Sequence, residues 1–334
     1  MTSPIAHDAA SSRMTPGERP VVTIIVPGFD VAEYAVEALD SLRVQTMPTW
    51  TAVLVDDAST DETGEIFDAA AAADPRFHVV HHRERKGLGA ARNTGLDLVR
   101  TPFVAFLDAD DRYTPQALER LVGTVAASGS DFALGAYVRL RPDTAGGYTA
   151  GQVQPWVAAA TEPARTRVSL AEHPEASGNI VAWSKVSRVD LWQRAGLRFP
   201  VGKAYEDQVV AQQMYTRARS FDVIPDVVVE WRERADGSSI TQHKSELPVL
   251  RDYLEALSGG IAVLDAAGQA RAAASRVRLI LAMDLPPLVD LARNHPDDAY
   301  RRALGVFARD MSSRVNGDAP DGHVATALAA ARLW

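Results

Sequence analysis

An apolar run, Phe103-Val104-Ala105-Phe106-Leu107, ends abruptly on Asp108, Ala109, Asp110 and Asp111. Three carboxylates at the end of a buried strand repel one another unless positive charge neutralises them. Asp108 and Asp110 are separated by one residue, so on an extended backbone they point the same way and can share a ligand. A pair of carboxylates suits Mg²⁺ or Mn²⁺, which complete their shell from phosphate oxygens and water. The competing role is local, because aspartates also cap the turn or helix that follows a strand.

Other segments carry residues of the same kind. Asp56 and Asp57 close a second apolar strand. Asp57 could accept a hydrogen bond from a base N–H. Capping is the alternative there, and Thr60 or Asp61 fits it better. Lys86-Gly87-Leu88-Gly89-Ala90-Ala91-Arg92-Asn93 looks at first like a dinucleotide turn, but Arg92 stands at the third glycine position and the segment follows the third strand. That counts against a Rossmann cofactor site. Gly87 and Gly89 let the backbone approach a ligand, while Arg92 offers a fork for phosphate or a charge partner for the acids. Glu206 and Asp207 open a helix, where acids complement the helix dipole; the same place suits a general base. Arg232 and Arg234, in Trp231-Arg232-Glu233-Arg234, could neutralise a diphosphate or form a solvated charge run. Gly237-Ser238-Ser239-Ile240-Thr241 follows them. The eight histidines have no zinc-hydrolase spacing, and neither a nucleophile elbow nor a P-loop is present.

These residues need a scaffold that collects strand ends. From Val21 onward, short β-branched runs alternate with amphipathic segments, the pattern of a mostly parallel sheet covered by helices. Strands are expected over 21–26, 51–55, 77–81, 103–107 and 132–140. The intervening helices are expected from Val31 to Leu42, Asp61 to Ala73, Gly87 to Val99 and Thr114 to Ala127. In such sheets ligands bind beyond the carboxyl ends of the strands, where Asp56, Asp57 and the 108–111 cluster fall. Residues 146–163 read as a surface loop, 185–194 and 205–215 as helices, and 221–224 and 227–231 as two strands. Beyond His243 every segment is helical: 247–264, 266–283, 288–293, 298–311 and 324–334.

The chain has 334 residues, 46% hydrophobic and 23% charged, enough for one large domain and a smaller one. A net charge of -8 argues against nucleic acid or an anionic membrane as the main partner. The absence of cysteine excludes disulfides and thiolate chemistry. No segment is apolar enough to span a bilayer.

In order along the chain, Val22 to Pro27, Ser41-Leu42-Arg43-Val44-Gln45-Thr46, Val55 to Asp61, Lys86 to Gly95 and Phe106 to Asp111 resemble the family 2 glycosyltransferases, and Tyr205-Glu206-Asp207 resembles that family's catalytic acid pair. The likeness covers about residues 20 to 240. Ala182-Trp183-Ser184-Lys185, Gly196 to Pro200 and Trp231 to Thr241 are most similar to bacterial members acting on cell-wall polymers such as teichoic acids. The resemblance implies a GT-A fold, a nucleotide-sugar donor, usually a UDP-sugar, and inversion at the anomeric carbon. It implies that Pro27, Phe29 and Asp57 line the nucleoside pocket, that Gly87, Arg92, Asp108 and Ala109 contact the nucleotide sugar, and that Arg232 and Arg234 face the diphosphate. Asp110 would bind Mn²⁺ or Mg²⁺, and Asp207, beside Glu206, would deprotonate the acceptor hydroxyl. Departures from the family are Asp30 where Asn is common, Gly28 where the residue is larger, and Ser184 where Asn is common.

The organisation expected is a disordered leader at 1–19, a catalytic domain at 20–242 and a helical region at 243–334, cut from a longer protein and able to mediate homo-oligomers. The partners expected are a nucleotide-sugar donor and a glycan, polyol-phosphate or lipid-linked acceptor, in the cytoplasm or at the inner membrane face. Two other functions are weighed: a nucleotidyltransferase acting on sugar phosphates, which also uses paired acids beside an α/β sheet and would release pyrophosphate, and a non-catalytic glycan-binding module with a retained nucleotide fold, which would need no base at Asp207 and against which both acid pairs argue.

Overall fold

A computed structural model describes residues 19–235, 244–314 and 322–334. The leader and the Gly237 to Thr241 segment lie outside the described residues, apart from Arg19. The first strands form because β-branched residues fill both faces. All seven residues of β1 (Val22–Gly28) are buried, as are six of seven in β2 (Trp50–Asp56). That is the composition of a parallel sheet covered on both sides. With β3 (Phe77–His81) and β4 (Phe103–Phe106) they make the parallel order β3-β2-β1-β4. The register pairs Gly28 with Asp56 and Ile25 with Phe106, so Phe29, Asp57 and Asp108 emerge along one edge.

Helices α1 (Ala32–Arg43), α2 (Thr63–Ala73) and α3 (Leu88–Leu98) connect these strands. A glycine is required where α3 meets the sheet, since a Cβ on Gly95 would lie 2.4 Å from Ile25 Cγ2. After β5 (Arg112–Tyr113) and α4 (Ala117–Ser128), the sheet continues through β6 (Phe132–Pro142), with β7 (Tyr148–Ala150) antiparallel beside it. Next come α5 (Pro155–Thr161), β8 (Arg165–Val168), β9 (Lys185–Arg188), α6 (Val189–Arg194), α7 (Asp207–Arg217) and β10 (Phe221–Arg232). The complete ten-stranded order is β3-β2-β1-β4-β9-β6-β10-β5, with β7 on β6 and β8 on β10.

Three segments differ from the pattern read in the sequence. The stretch 146–163 contains β7 and α5. Residues 185–188 are a strand because an open slot between β4 and β6 takes them antiparallel to both, and only 189–194 are helical. The strands expected at 221–224 and 227–231 are one strand interrupted by register shifts.

The C-terminal helices are α8 (Leu247–Ala266), α9 (Ala270–Leu279), α10 (Leu285–Arg293), α11 (Asp298–Ser313) and α12 (Gly322–Ala331). A π-turn at Ile280–Asp284 joins α9 to α10 without a break, and Pro286 and Pro287 follow just after it. Helix α8 lies directly on α7. A Cβ on Gly259 would sit 3.0 Å from Val209 Cγ2, and one on Gly260 3.4 Å from Gln212 Cγ. One hydrophobic cluster runs from Val22 through Val210 and Leu257 to Leu328, so the core does not break near residue 243.

Candidate active site

The centre of the site is Arg92, on the buried face of α3 and only 1% exposed. Its Nη2 donates to Asp108 Oδ1 at 2.6 Å, and its Nη1 donates to Glu206 Oε1. The guanidinium also sits 5.3 Å from the Phe199 ring centre. Burial works against its charge, but Asp108, Glu206 and Asp207 outweigh that and push its pKa up. Of the two roles open from sequence, the charge partner is the one occupied here.

Three carboxylates thus share one guanidinium. Burial lifts Glu206 to about 7 against the pull of Arg92, with Asp207 adding to the rise. Burial likewise lifts Asp207 to about 6, opposed by Arg92 and Lys185 and reinforced by Asp108. The two form one interacting pair, and their protons leave in shared steps. Asp207 is half-buried at the first turn of α7, and its carboxylate bonds no other residue among those described. Tyr205, just before the pair, holds φ +58. Asp30 (φ +48) and Ala58 (φ +61), after β1 and β2, are also left-handed. Such backbone costs energy in a non-glycine residue and collects at functional sites.

Asp57 anchors the loop that leads into α3. Its carboxylate accepts from Lys86 N at 2.9 Å and Gly87 N at 2.7 Å, and it pairs with His82 Nδ1 at 2.6 Å. About one of a carboxylate's four acceptor positions then remains for a base N–H. Gly87 has φ +89, the left-handed region open to glycine. Pro27 is buried at the end of β1, and Phe29 is half-buried with Arg85 3.9 Å above its ring. Asn93 exchanges two hydrogen bonds with the Phe199 backbone, at 2.8 and 3.0 Å, and so ties α3 to the segment that delivers Glu206.

Ala109 is buried behind the acidic cluster. Asp110 Oδ2 accepts from Arg234 Nε at 2.8 Å. Arg232 donates through Nε to the Asp110 carbonyl at 2.8 Å, and its Nη2 pairs with Glu37, a residue without a strand-end signal in the sequence. Asp111, 1% exposed, accepts from Arg232 N at 2.8 Å through Oδ1, while its Oδ2 is buried without a partner. Burial pushes the pKa of both Asp110 and Asp111 up. Arg234 opposes this at Asp110, and neighbouring aspartates add to it at both.

No group of three or more His, Cys, Asp or Glu is arranged for a metal among the described residues. The pair fits a cation that takes its remaining ligands from a diphosphate. Asp108 and Asp110 are hard oxygen donors at the mouth, with side chains 22% and 17% exposed, and Asp111 Oδ2 is a buried oxygen beside them without a partner among the described residues.

With this geometry in place, comparison with known proteins decides the family. A sequence profile described as Glycosyl transferase family 2 matches residues 23–186, the segment holding Asp57, Arg92, Asp108 and Asp110. Residues 23–186 are a glycosyltransferase family 2 segment. The chain is 26% identical over 242 residues to glycosyltransferase GlyG of Streptococcus pneumoniae, covering 71% of this chain and 78% of that one. S. aureus TarS, residues 1–349, in complex with UDP-GlcNAc superposes with a TM-score of 0.70 at 20% identity, over 88% of this chain and 83% of that one. The mannosyltransferase PcManGT from Pyrobaculum calidifontis, in complex with GDP-Man and Mn²⁺, gives a TM-score of 0.52 at 19% identity, over 94% and 86%. The fold of this glycosyltransferase is GT-A, with helices appended at its C-terminus. No helix among its described residues is long and apolar enough to cross a membrane.

Proposed function

We propose that this glycosyltransferase moves a sugar from a UDP-sugar to a hydroxyl of a glycan or cell-wall polymer with inversion, at the cytoplasmic side of the membrane. The observation that carries this reading is Asp207, a carboxylate with no bonded partner among the described residues, raised to about 6 by burial and acted on by the charges of Arg92 and Asp108. A base must be ionised at working pH and still accept a proton readily, which that environment provides. The acceptor oxygen attacks C1 of the sugar from the face opposite the diphosphate, the C1–O bond to the diphosphate breaks, and the hydroxyl proton passes to Asp207. Arg92 holds Asp108 and Glu206 in place on either side. Asp57, with the loop it anchors, and Phe29 bind the base, and Arg234 faces the diphosphate, whereas Arg232, 2% exposed and bonded to the Asp110 carbonyl and Glu37, braces the acidic turn instead of reaching the donor. Asp110 with Asp108 would hold Mn²⁺ or Mg²⁺, which stabilises negative charge on the leaving diphosphate. The UDP-GlcNAc complex of TarS supports UDP-GlcNAc as the first donor to try, and the Mn²⁺ in PcManGT supports Mn²⁺.

Thermal unfolding with UDP-GlcNAc and other nucleotide sugars, with and without Mn²⁺, tests donor binding, since a ligand of the folded state raises Tm by mass action. Asp207→Asn is expected to keep the donor shift and lose transfer, and Asp110→Ala to lose the Mn²⁺-dependent part of the shift. Full transfer by Asp207→Asn would overturn the base assignment.

A further inference from the structure

Lys185, at the start of β9, is 3% exposed. Its Nζ donates to Asn179 O at 2.9 Å, Asn179 Oδ1 at 2.7 Å and Val181 O at 2.6 Å. Three acceptors require three N–H donors, and only the ammonium has three. The cage is fixed in turn: Ser184 Oγ donates to Asn179 Oδ1 at 2.9 Å, and Tyr215 OH donates to Asn179 O at 3.0 Å. No carboxylate forms an ion pair with Lys185 among the described residues, so its charge is held by neutral carbonyls, with the Tyr215 ring centre 5.7 Å away. The carboxylate that acts on it at longer range is Asp207, which opposes the burial that pulls Lys185 down to about 7.

The two side chains line the same small cavity, about 10 Å³, otherwise walled largely by Phe106, Trp192, Phe199 and Met214. Such a space admits about one water, and its apolar walls leave the two charges poorly screened. The charged and titratable groups around Asp207 are Arg92 from α3, Asp108 beyond β4, Glu206 before α7, Tyr137 from β6, Tyr205 and Lys185. Arg92 is already committed to Asp108 and Glu206. Lys185 is the cation that lines this cavity with Asp207 and pairs with no carboxylate among the described residues.

We propose that Lys185 is a positioning residue for the transfer reaction: its caged ammonium fixes the 179–181 turn beneath α7 and keeps the Asp207 carboxylate ionised for proton acceptance. This rests on Asp207 as the base, but its test needs no substrate. In protein labelled with ¹³C at the aspartate carboxyl, the Asp207 signal, identified by its loss in Asp207→Asn, is titrated in the wild type and in Lys185→Met. Loss of the opposite charge is expected to move the Asp207 midpoint upward by about one pH unit. A role confined to packing would lower Tm and leave that midpoint unmoved, which would overturn the proposal. If Lys185→Met does not fold, the same coupling is read from the other side: Asp207→Asn is expected to move the ¹⁵Nζ titration of Lys185 downward by a similar amount, and an unmoved Lys185 would overturn it. A coupled pair together with full transfer activity in Asp207→Asn would instead remove the base assignment and leave the electrostatic link standing.

Discussion

At the scale of single residues, Arg92 sets the behaviour of the site because one buried cation faces Asp108, Glu206 and Asp207. Transfer is expected to rise with pH as the pair loses its proton between about 6 and about 7, read as kcat against pH. The stability contribution has the opposite sign. Both folded values lie above the ordinary 3.8 and 4.5, so the stabilisation from holding the proton is complete below those values and is lost as pH rises through about 6 and about 7. Arg92→Met removes the cation and leaves its carboxylates buried. It is expected to cost about 3 kcal/mol in urea unfolding at neutral pH and to move any residual activity profile alkaline. An unchanged profile with unchanged stability would contradict the charge-partner role. Ala58 and Tyr205 add a feature hidden at this scale, since neither residue type announces a left-handed backbone, whereas Asp30 is of a type that adopts it more readily.

At the scale of elements, α3 connects the loop held by Asp57 to the segment carrying Glu206 and Asp207. Its N-terminal loop is fixed by Asp57, and its first turn presses on the segment carrying Glu206. A Cβ at Gly89 would lie 2.1 Å from the Pro200 carbonyl oxygen and 3.4 Å from Glu206 Cγ. Gly89→Ala is therefore expected to destabilise the protein by about 1–3 kcal/mol, as overpacking does, and to reduce transfer more than donor binding. Gly123 in α4 is the control, with nothing within 4 Å of its would-be Cβ. Gly123→Ala is expected to raise stability by about 0.5–1 kcal/mol through helix propensity. Equal Tm values for the two variants would show that the approach of α3 to Pro200 is not tight. Much at this scale was legible from periodicity, including the first four strands and α1 to α4. Residues 185–188 were not, because their strand exists only where β4 and β6 leave a slot.

At the scale of the whole molecule, the C-terminal helices pack on the segment that carries Glu206 and Asp207. Tyr253 of α8 packs 4.3 Å from the Tyr205 ring, Lys203 bonds Asp252 and Glu255, and Arg276 of α9 reaches Gln208 at 3.3 Å. Leu250, Leu257 and Ile261 are buried with the core residues of α7. A shared core predicts one cooperative calorimetric transition for the full chain. A chain ending at residue 246 is expected to expose the apolar face of α7, lose that transition and aggregate; a folded, active fragment would show that the two parts are independent.

The sequence by itself determined the strand ends, the acids on them, the Glu206-Asp207 pair and the family, because burial and spacing along a strand are local properties written in residue order. It also supplied the helical character of the C-terminal region. Only the tertiary structure decided which charges meet. Arg92 was open between phosphate and acids until α3 was packed against β1 and the 199–206 segment was tied to Asn93. Asp111 stands in the sequence only as the third acid of its run, and the fold buries it with an orphaned oxygen. Lys185 was one letter of a resemblance until β9 carried it beneath Asp207. An ion pair or a caged ammonium depends on residues far apart in the chain reaching one low-dielectric space, and no local pattern encodes that meeting.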